Sequence, residues 1–266
     1  MDKNYISLWL LAATAFLFFL ITSAFDMPGI AGYTPKSSGM YERIFGVRQE
    51  SRTCDTLAVA VPDSAAVVVS EPFPVLCDTT AQTILLVGDS MLEGLGPRLA
   101  AYAEENGHTL YTVIWYSSTS EVWGTSDRLR QYIGRLHPTY IIISLGANEL
   151  FVRDIASKRD RHVKKILADI DSIPYLWIGP PNWKEDTGIN DLIESNTPKG
   201  AFFRSEGMTF ERASDGAHPT SASAAVWADS IVRWMPLHSL HPIRMEAPHK
   251  ESGKAARIFI HAPDDK

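Results

Sequence analysis

The chain has 266 residues, 45% of them hydrophobic and 21% charged, long enough to bury a sizeable core in one large domain with appendages. A formal charge of −6 and a pI near 5.7 supply no basic stripe to displace counterions, which argues against nucleic acid as a partner.

Residues 5–25, YISLWLLAATAFLFFLITSAF, carry no charge and follow Lys3. About 20 apolar residues cross a bilayer core, whereas a secretory h-region usually holds about 7–15. The leading reading of residues 1–25 is therefore an uncleaved membrane anchor with a cytoplasmic N-terminus. Thr22 and Ala24, as small residues before a cleavage site, keep a signal peptide open. Either way the bulk of the chain is exported: anchored and facing the periplasm or exterior, or secreted after cleavage. Residues 26–82 read as a tether and a small β-prone preface. The stretch 26–51 is rich in Gly, Pro and Ser, and the short β-prone runs 57–61 and 65–69 are separated by Pro62 and Asp63. Cys54 and Cys77 are the two cysteines. A bridge between them suits an oxidising compartment and would stabilise by roughly 3 kcal/mol in the chain-entropy model; two unpaired core thiols are the alternative.

From residue 83 the pattern becomes regular. Strands are predicted at 83–87, 108–115, 140–145 and 175–178, with a short fifth at 201–203. Between them, Leu95, Leu99 and Tyr102 give helical spacing over 92–105, followed by the stop signal Asn106-Gly107. Leu129, Tyr132, Ile133 and Leu136 mark a helix at 126–136, and Val163, Ile166, Leu167 and Ile170 one near 155–172. A final helix at 221–235 is expected to bury Val226, Trp227, Ile231 and Trp234. The segment 179–200 shows no clear period, and the tail 236–266, with His238, His241, His249 and His261, reads as a flexible extension rather than a metal site. Alternating strands and helices imply a mainly parallel sheet covered on both faces. Sites in such sheets form at the carboxyl ends of strands.

Gly88-Asp89-Ser90 follows the first strand, Gly146-Ala147-Asn148-Glu149 the third, and Asp215-Gly216-Ala217-His218 precedes the last helix, so three polar clusters would converge on that edge. A serine hydroxyl needs a base to become a nucleophile, and imidazole suits that task near neutrality. A carboxylate holds the imidazole tautomer, and one turn can present both Asp215 and His218. The Ser90 N–H and the Asn148 amide are candidate oxyanion donors, one such donor being worth roughly 2.7–4 kcal/mol. Taken singly, each residue has a plainer reading: Ser90 as a helix cap, Asn148 as a turn residue, His218-Pro219 as a helix start. Their order at successive strand ends favours chemistry.

These blocks resemble the SGNH, or GDSL-type, hydrolase family over about residues 83–235. GDS at 88–90 is similar to its first block, G-x-N at 146–148 to its third and D-x-x-H at 215–218 to its last. The resemblance implies a flavodoxin-like α/β/α sandwich with a mainly parallel five-stranded sheet. It also implies a Ser90, His218, Asp215 triad and ester hydrolysis with no metal or organic cofactor. Two departures stand out. Glu149 replaces the acid of the usual G-x-N-D. The second block normally offers a glycine N–H, and here WYSSTSEVWG leaves Thr119 at that place if the register is kept, or Gly124 if there is a short insertion. The G-x-S-x-G elbow is absent, since Leu92 holds the last glycine position.

Trp115, Tyr116, Trp123, Trp177 and Trp183 lie at or near strand ends. Core packing is the plainer role for each; stacking on sugar rings is the functional one. The chain thus reads as a serine esterase acting on acyl, including acetyl, esters of a small molecule or of an envelope or extracellular glycan. The first alternative is an O-acyltransferase that passes the same acyl group to a sugar hydroxyl. The second is a non-catalytic glycan-binding domain.

Overall fold

The computed structural model describes residues 76–260. The anchor, the tether, the preface up to residue 75, Cys54 and His261 lie outside the described residues, and so does the Cys54–Cys77 pairing. Among the described residues no helix is long and apolar enough to cross a membrane.

Six parallel strands form one sheet in the order β5-β4-β3-β1-β2-β6. They are β1 (Thr83–Gly88), β2 (Thr109–Trp115), β3 (Tyr140–Ser144), β4 (Tyr175–Ile178), β5 (Phe202–Phe203) and β6 (Ala256–Ile260). The central strands are apolar along their whole length because both faces are covered. Along β1 the side chains alternate between two cores. Ile84 and Leu86 join Leu95, Leu99, Trp227 and Ile231, whereas Leu85 and Val87 join Leu129, Val163, Ile166 and Ile193. The first core packs under helices α1 (Leu92–Glu105) and α6 (Ser221–His238). The second packs under α2 (Ser120–Thr125), α3 (Arg128–Leu136), α4 (Ile155–Ile170) and α5 (Ile189–Asn196). Each fully buried large side chain contributes about 1.5–3 kcal/mol.

Several expectations need correction. The helix anticipated at 126–136 is present as α3, starting at Arg128, but an unanticipated short helix, α2, precedes it, with Thr119 capping α2 by accepting from the Val122 N–H at 3.2 Å. Helix α3 ends at His137, whose left-handed backbone (φ 48°) precedes Pro138. The segment 179–200 holds α5, nucleated where the Asp186 carboxylate accepts from the Gly188, Ile189 and Asn190 N–H groups. Val226 is exposed, since α6 turns Trp227, Ala228 and Ile231 inward instead.

The largest change concerns the tail. Instead of a flexible extension it adds a sixth strand, so the sheet is not five-stranded. After α6 the chain runs back along α1. Asn106 Oδ1 accepts from the Glu246 N–H at 2.9 Å, and Arg98 donates to Lys250 O at 2.9 Å. Gly253 lies so close to α1 that a Cβ there would stand 2.4 Å from Ala100 C. That path delivers Ala256–Ile260 to the free edge of β2. Its anchors are scattered polar contacts, so no apolar period announces them.

The connections set the position of the site. From β1 the chain moves to β2 on one side, then crosses to β3 on the other. Strand order therefore reverses at β1 and β3, and in open α/β sheets the crevice beyond such a reversal holds the ligand.

Candidate active site

β1 ends in a close approach. A Cβ on Gly88 would stand 2.2 Å from Ser144 O of β3, so only glycine fits. The Asp89 N–H donates to the same carbonyl at 3.3 Å, and Asp89 Oδ1 accepts from the Met91 N–H at 3.0 Å. This turn leads into α1, whose N-cap is Met91 with no side-chain cap. The Ser90 hydroxyl is not used as a cap. It lies 2.8 Å from His218 Nε2.

His218 is presented by a short antiparallel loop. Arg212 and Pro219 form an isolated bridge, with Ala213 N–H donating to His218 O and Thr220 N–H to Glu211 O, each at 2.8 Å. Inside the loop Gly216 takes φ 71°, and Asp215 Oδ1 accepts from the Ala217 and His218 N–H groups at 2.8 and 3.0 Å. Asp215 Oδ2 is then left 2.6 Å from His218 Nδ1. The Ala217 and His218 N–H groups, with the imidazole, hold the Asp215 carboxyl down at about 2. An ionised Asp215 favours the proton on Nδ1, which leaves Nε2 free to accept from Ser90 Oγ. Pro219 precedes the helix rather than opening it, because Thr220 is the N-cap of α6.

The 146–148 turn follows β3, the strand paired with β1. Gly146 adopts φ 123°, which favours glycine. Asn148 Nδ2 donates to Ser118 O at 3.0 Å, so the Ser118-Thr119 backbone runs beside the Asn148 amide. Gly124 does not reach this place. It sits in α2 against α4, where a Cβ would stand 2.8 Å from His162 Cβ. Gly124 is thus a helix-packing glycine, whereas Thr119 directly follows the Ser118 carbonyl that Asn148 contacts. Among the described residues, neither the Ser90 nor the Thr119 N–H donates to a protein acceptor.

Glu149 explains how this segment is held. Its carboxylate is fully buried and accepts from Ser120 N–H and Ser120 Oγ, both at 2.8 Å, and from Arg159 Nε at 2.7 Å. It therefore pins the first residue of α2, next to Thr119. Ser120 and Arg159 escaped the sequence reading, because nothing in either residue's neighbourhood advertises a partner so distant in the chain. Asp89 is buried with Oδ2 lacking a hydrogen bond. Burial pushes its carboxyl up to about 7, with a further push from Glu149; the Met91 and Ala147 N–H groups and His218 oppose the rise.

The aromatic residues divide. Trp123 and Trp177 are core side chains whose indole N–H groups donate to Ser118 Oγ and Leu145 O at 3.0 and 3.3 Å. Trp115 packs edge-on against Trp123 beneath Arg128. Tyr116 hydrogen-bonds Glu93, one turn along α1 from Ser90, and that bond drives its phenol up to about 12. Trp183 donates to Ala147 O at 2.9 Å and meets the exposed Phe151 edge-on, with Lys184 Nζ over both rings.

No family model matches this chain, and no curated protein matches it. Solved structures do. One is the psychrotrophic esterase EstA from Pseudoalteromonas sp., in a structure inhibited by monoethylphosphonate. It is 18% identical with a TM-score of 0.42, covering 57% of this chain and 94% of that one. At that identity and score the functional reading rests on the site's own geometry.

Proposed function

We propose that the chain is a serine hydrolase of the SGNH type, on a flavodoxin-like three-layer sandwich, that cleaves carboxylic esters through an acyl-Ser90 intermediate. The observation that carries this reading is the unbroken line from Asp215 through His218 to Ser90, joining residues 128 apart in sequence at 2.6 and 2.8 Å. The order β2-β1-β3-β4-β5, with β6 added outside, supports the fold assignment.

In this mechanism Ser90 Oγ attacks the ester carbon while its proton passes to His218 Nε2. Asp215 stabilises the imidazolium without taking a proton. Negative charge develops on the former carbonyl oxygen, and the Ser90 N–H, the Asn148 amide and the Thr119 N–H receive it. Collapse breaks the ester C–O bond, and the departing alkoxide takes the proton from Nε2. Water then gives a proton to Nε2 as it attacks the acyl carbon, and the acid leaves as Ser90 recovers its proton. Transfer to a sugar hydroxyl would use the same intermediate. The side chains of His218 and Asp215 are 34% and 50% exposed, an openness to water that supports hydrolysis over transfer, and the complete relay supports catalysis over passive binding.

Esters on an extracellular or envelope glycan are the substrate class this reading favours. It rests on the apolar segment 5–25, which would export the chain as a membrane-anchored or secreted protein, and on the aromatic corner of exposed Phe151 and half-buried Trp183, the latter bonded to Ala147 next to Asn148. A fluorophosphonate should label the full-length protein, and aryl acetates should be hydrolysed. Ser90→Ala should abolish both. Equal labelling of the alanine variant would sink the nucleophile assignment. Acylated sugar exceeding free acid, when an oligosaccharide is supplied, would replace hydrolysis with transfer.

A further inference from the structure

The loop after β4 touches both halves of the site. Arg212, at the mouth of the His218 loop, donates through Nη1 to Ala217 O at 2.8 Å. Through Nη2 it donates to Pro181 O and Asn182 O at 3.2 and 2.7 Å. The next residue, Trp183, donates its indole N–H to Ala147 O at 2.9 Å, in the turn that carries Asn148. A continuous line of contacts thus runs from Ala217, beside His218, to Ala147, beside Asn148.

The line is also supported from below. The Arg212 guanidinium lies 5.0 Å over the Phe210 ring, and Phe210 packs edge-on against the buried Trp227. The Trp227 indole N–H is itself fixed to Ser205 Oγ at 2.8 Å. Arg212 forms no ion pair among the described residues, and spends its planar fork on three main-chain carbonyls in two segments. A lysine ammonium has the charge but lacks that geometry.

We infer that Arg212, residues 181–183 and the Trp183 indole form a brace that fixes the His218 loop and the 146–148 turn relative to each other, with Arg212 as a positioning residue. Neither Arg212 nor Trp183 needs to touch the reacting atoms. Their effect is to keep the base and the amide donor at one separation. The kinetic consequence rests on the hydrolase reading; the mechanical one does not.

Two measurements on the full-length protein test this. In hydrogen exchange, Arg212→Lys should speed exchange in peptides covering 213–218 and also in those covering 146–148, which Arg212 does not contact. In kinetics, Arg212→Lys should lower kcat with KM nearly unchanged, by up to about 10²-fold, the loss an ångström of misplacement brings. Trp183→Phe keeps the ring and loses the N–H. Combined with Arg212→Lys it should lose less than the product of the two single losses, because both break one brace. Exchange that rises only in 213–218, or losses that multiply within about twofold, would overturn the brace. If Ser90→Ala kept its turnover, the hydrolase reading would fall instead, and the exchange data would still decide the brace.

Discussion

Asp89→Asn should make the folded state more stable, and more so as pH rises. Asp89 is 1% exposed, and its Oδ2 has no hydrogen bond. Burial raises its pKa from an ordinary 3.8 to about 7. Between those values the folded protein holds a proton that the unfolded chain has released. Stability therefore falls as pH climbs through this window and levels off above about 7. Each pH unit is worth about 1.4 kcal/mol, so the charged carboxylate destabilises the fold by about 4 kcal/mol once fully ionised. Asparagine keeps the shape and the acceptor for the Met91 N–H, and it carries no charge. Urea unfolding of both proteins in a non-ionic detergent, followed by the fluorescence of buried Trp123, Trp177 and Trp227, measures the difference at each pH. It should be small near pH 4 and grow by about 4 kcal/mol by pH 8. Glu149 and His218, whose charges act on Asp89, are the groups whose titration also differs between the two proteins; groups away from Asp89 are common to both and cancel. A difference that stays flat across that range would refute the buried-charge argument.

Gly88→Ala should cost roughly 3 kcal/mol or more, because its Cβ meets the Ser144 carbonyl at 2.2 Å and neither strand can yield without parting β1 from β3; a thermal melt against wild type checks this. Glu149→Ala should destabilise by about 3 kcal/mol, the lower end for a broken buried pair, since Arg159 keeps Glu121 at 2.8 Å as a second partner. The same substitution releases the start of α2, so kcat should fall further than the stability loss explains, and a paired urea titration and aryl-acetate assay separate the two effects.

The strands and the helices that face the cores are readable in the residues themselves, because burial on two faces imposes a period. Continuous apolar runs mark β1 and β3, and 3.6-residue spacing marks α1, α3 and α4. Residues 88–90 and 146–148 likewise stand out, since polar groups at the ends of buried strands need a reason, and 215–218 stands out as a polar cluster just before α6. Three features fall outside that logic. β6 depends on polar tethers along α1 and on the tight approach of Gly253, neither of which repeats in sequence. The contact between Ser118 and Asn148 across two strand ends, which favours Thr119 over Gly124 in the proposed site, is one that spacing alone does not announce. Arg212 resembles any loop arginine until the fold brings three carbonyls within its reach. Local chemistry and periodic burial thus determined the elements and named the candidate serine, histidine and aspartate. Only the tertiary structure decided which distant backbone groups meet them, because such contacts depend on where the chain returns and leave no pattern along it.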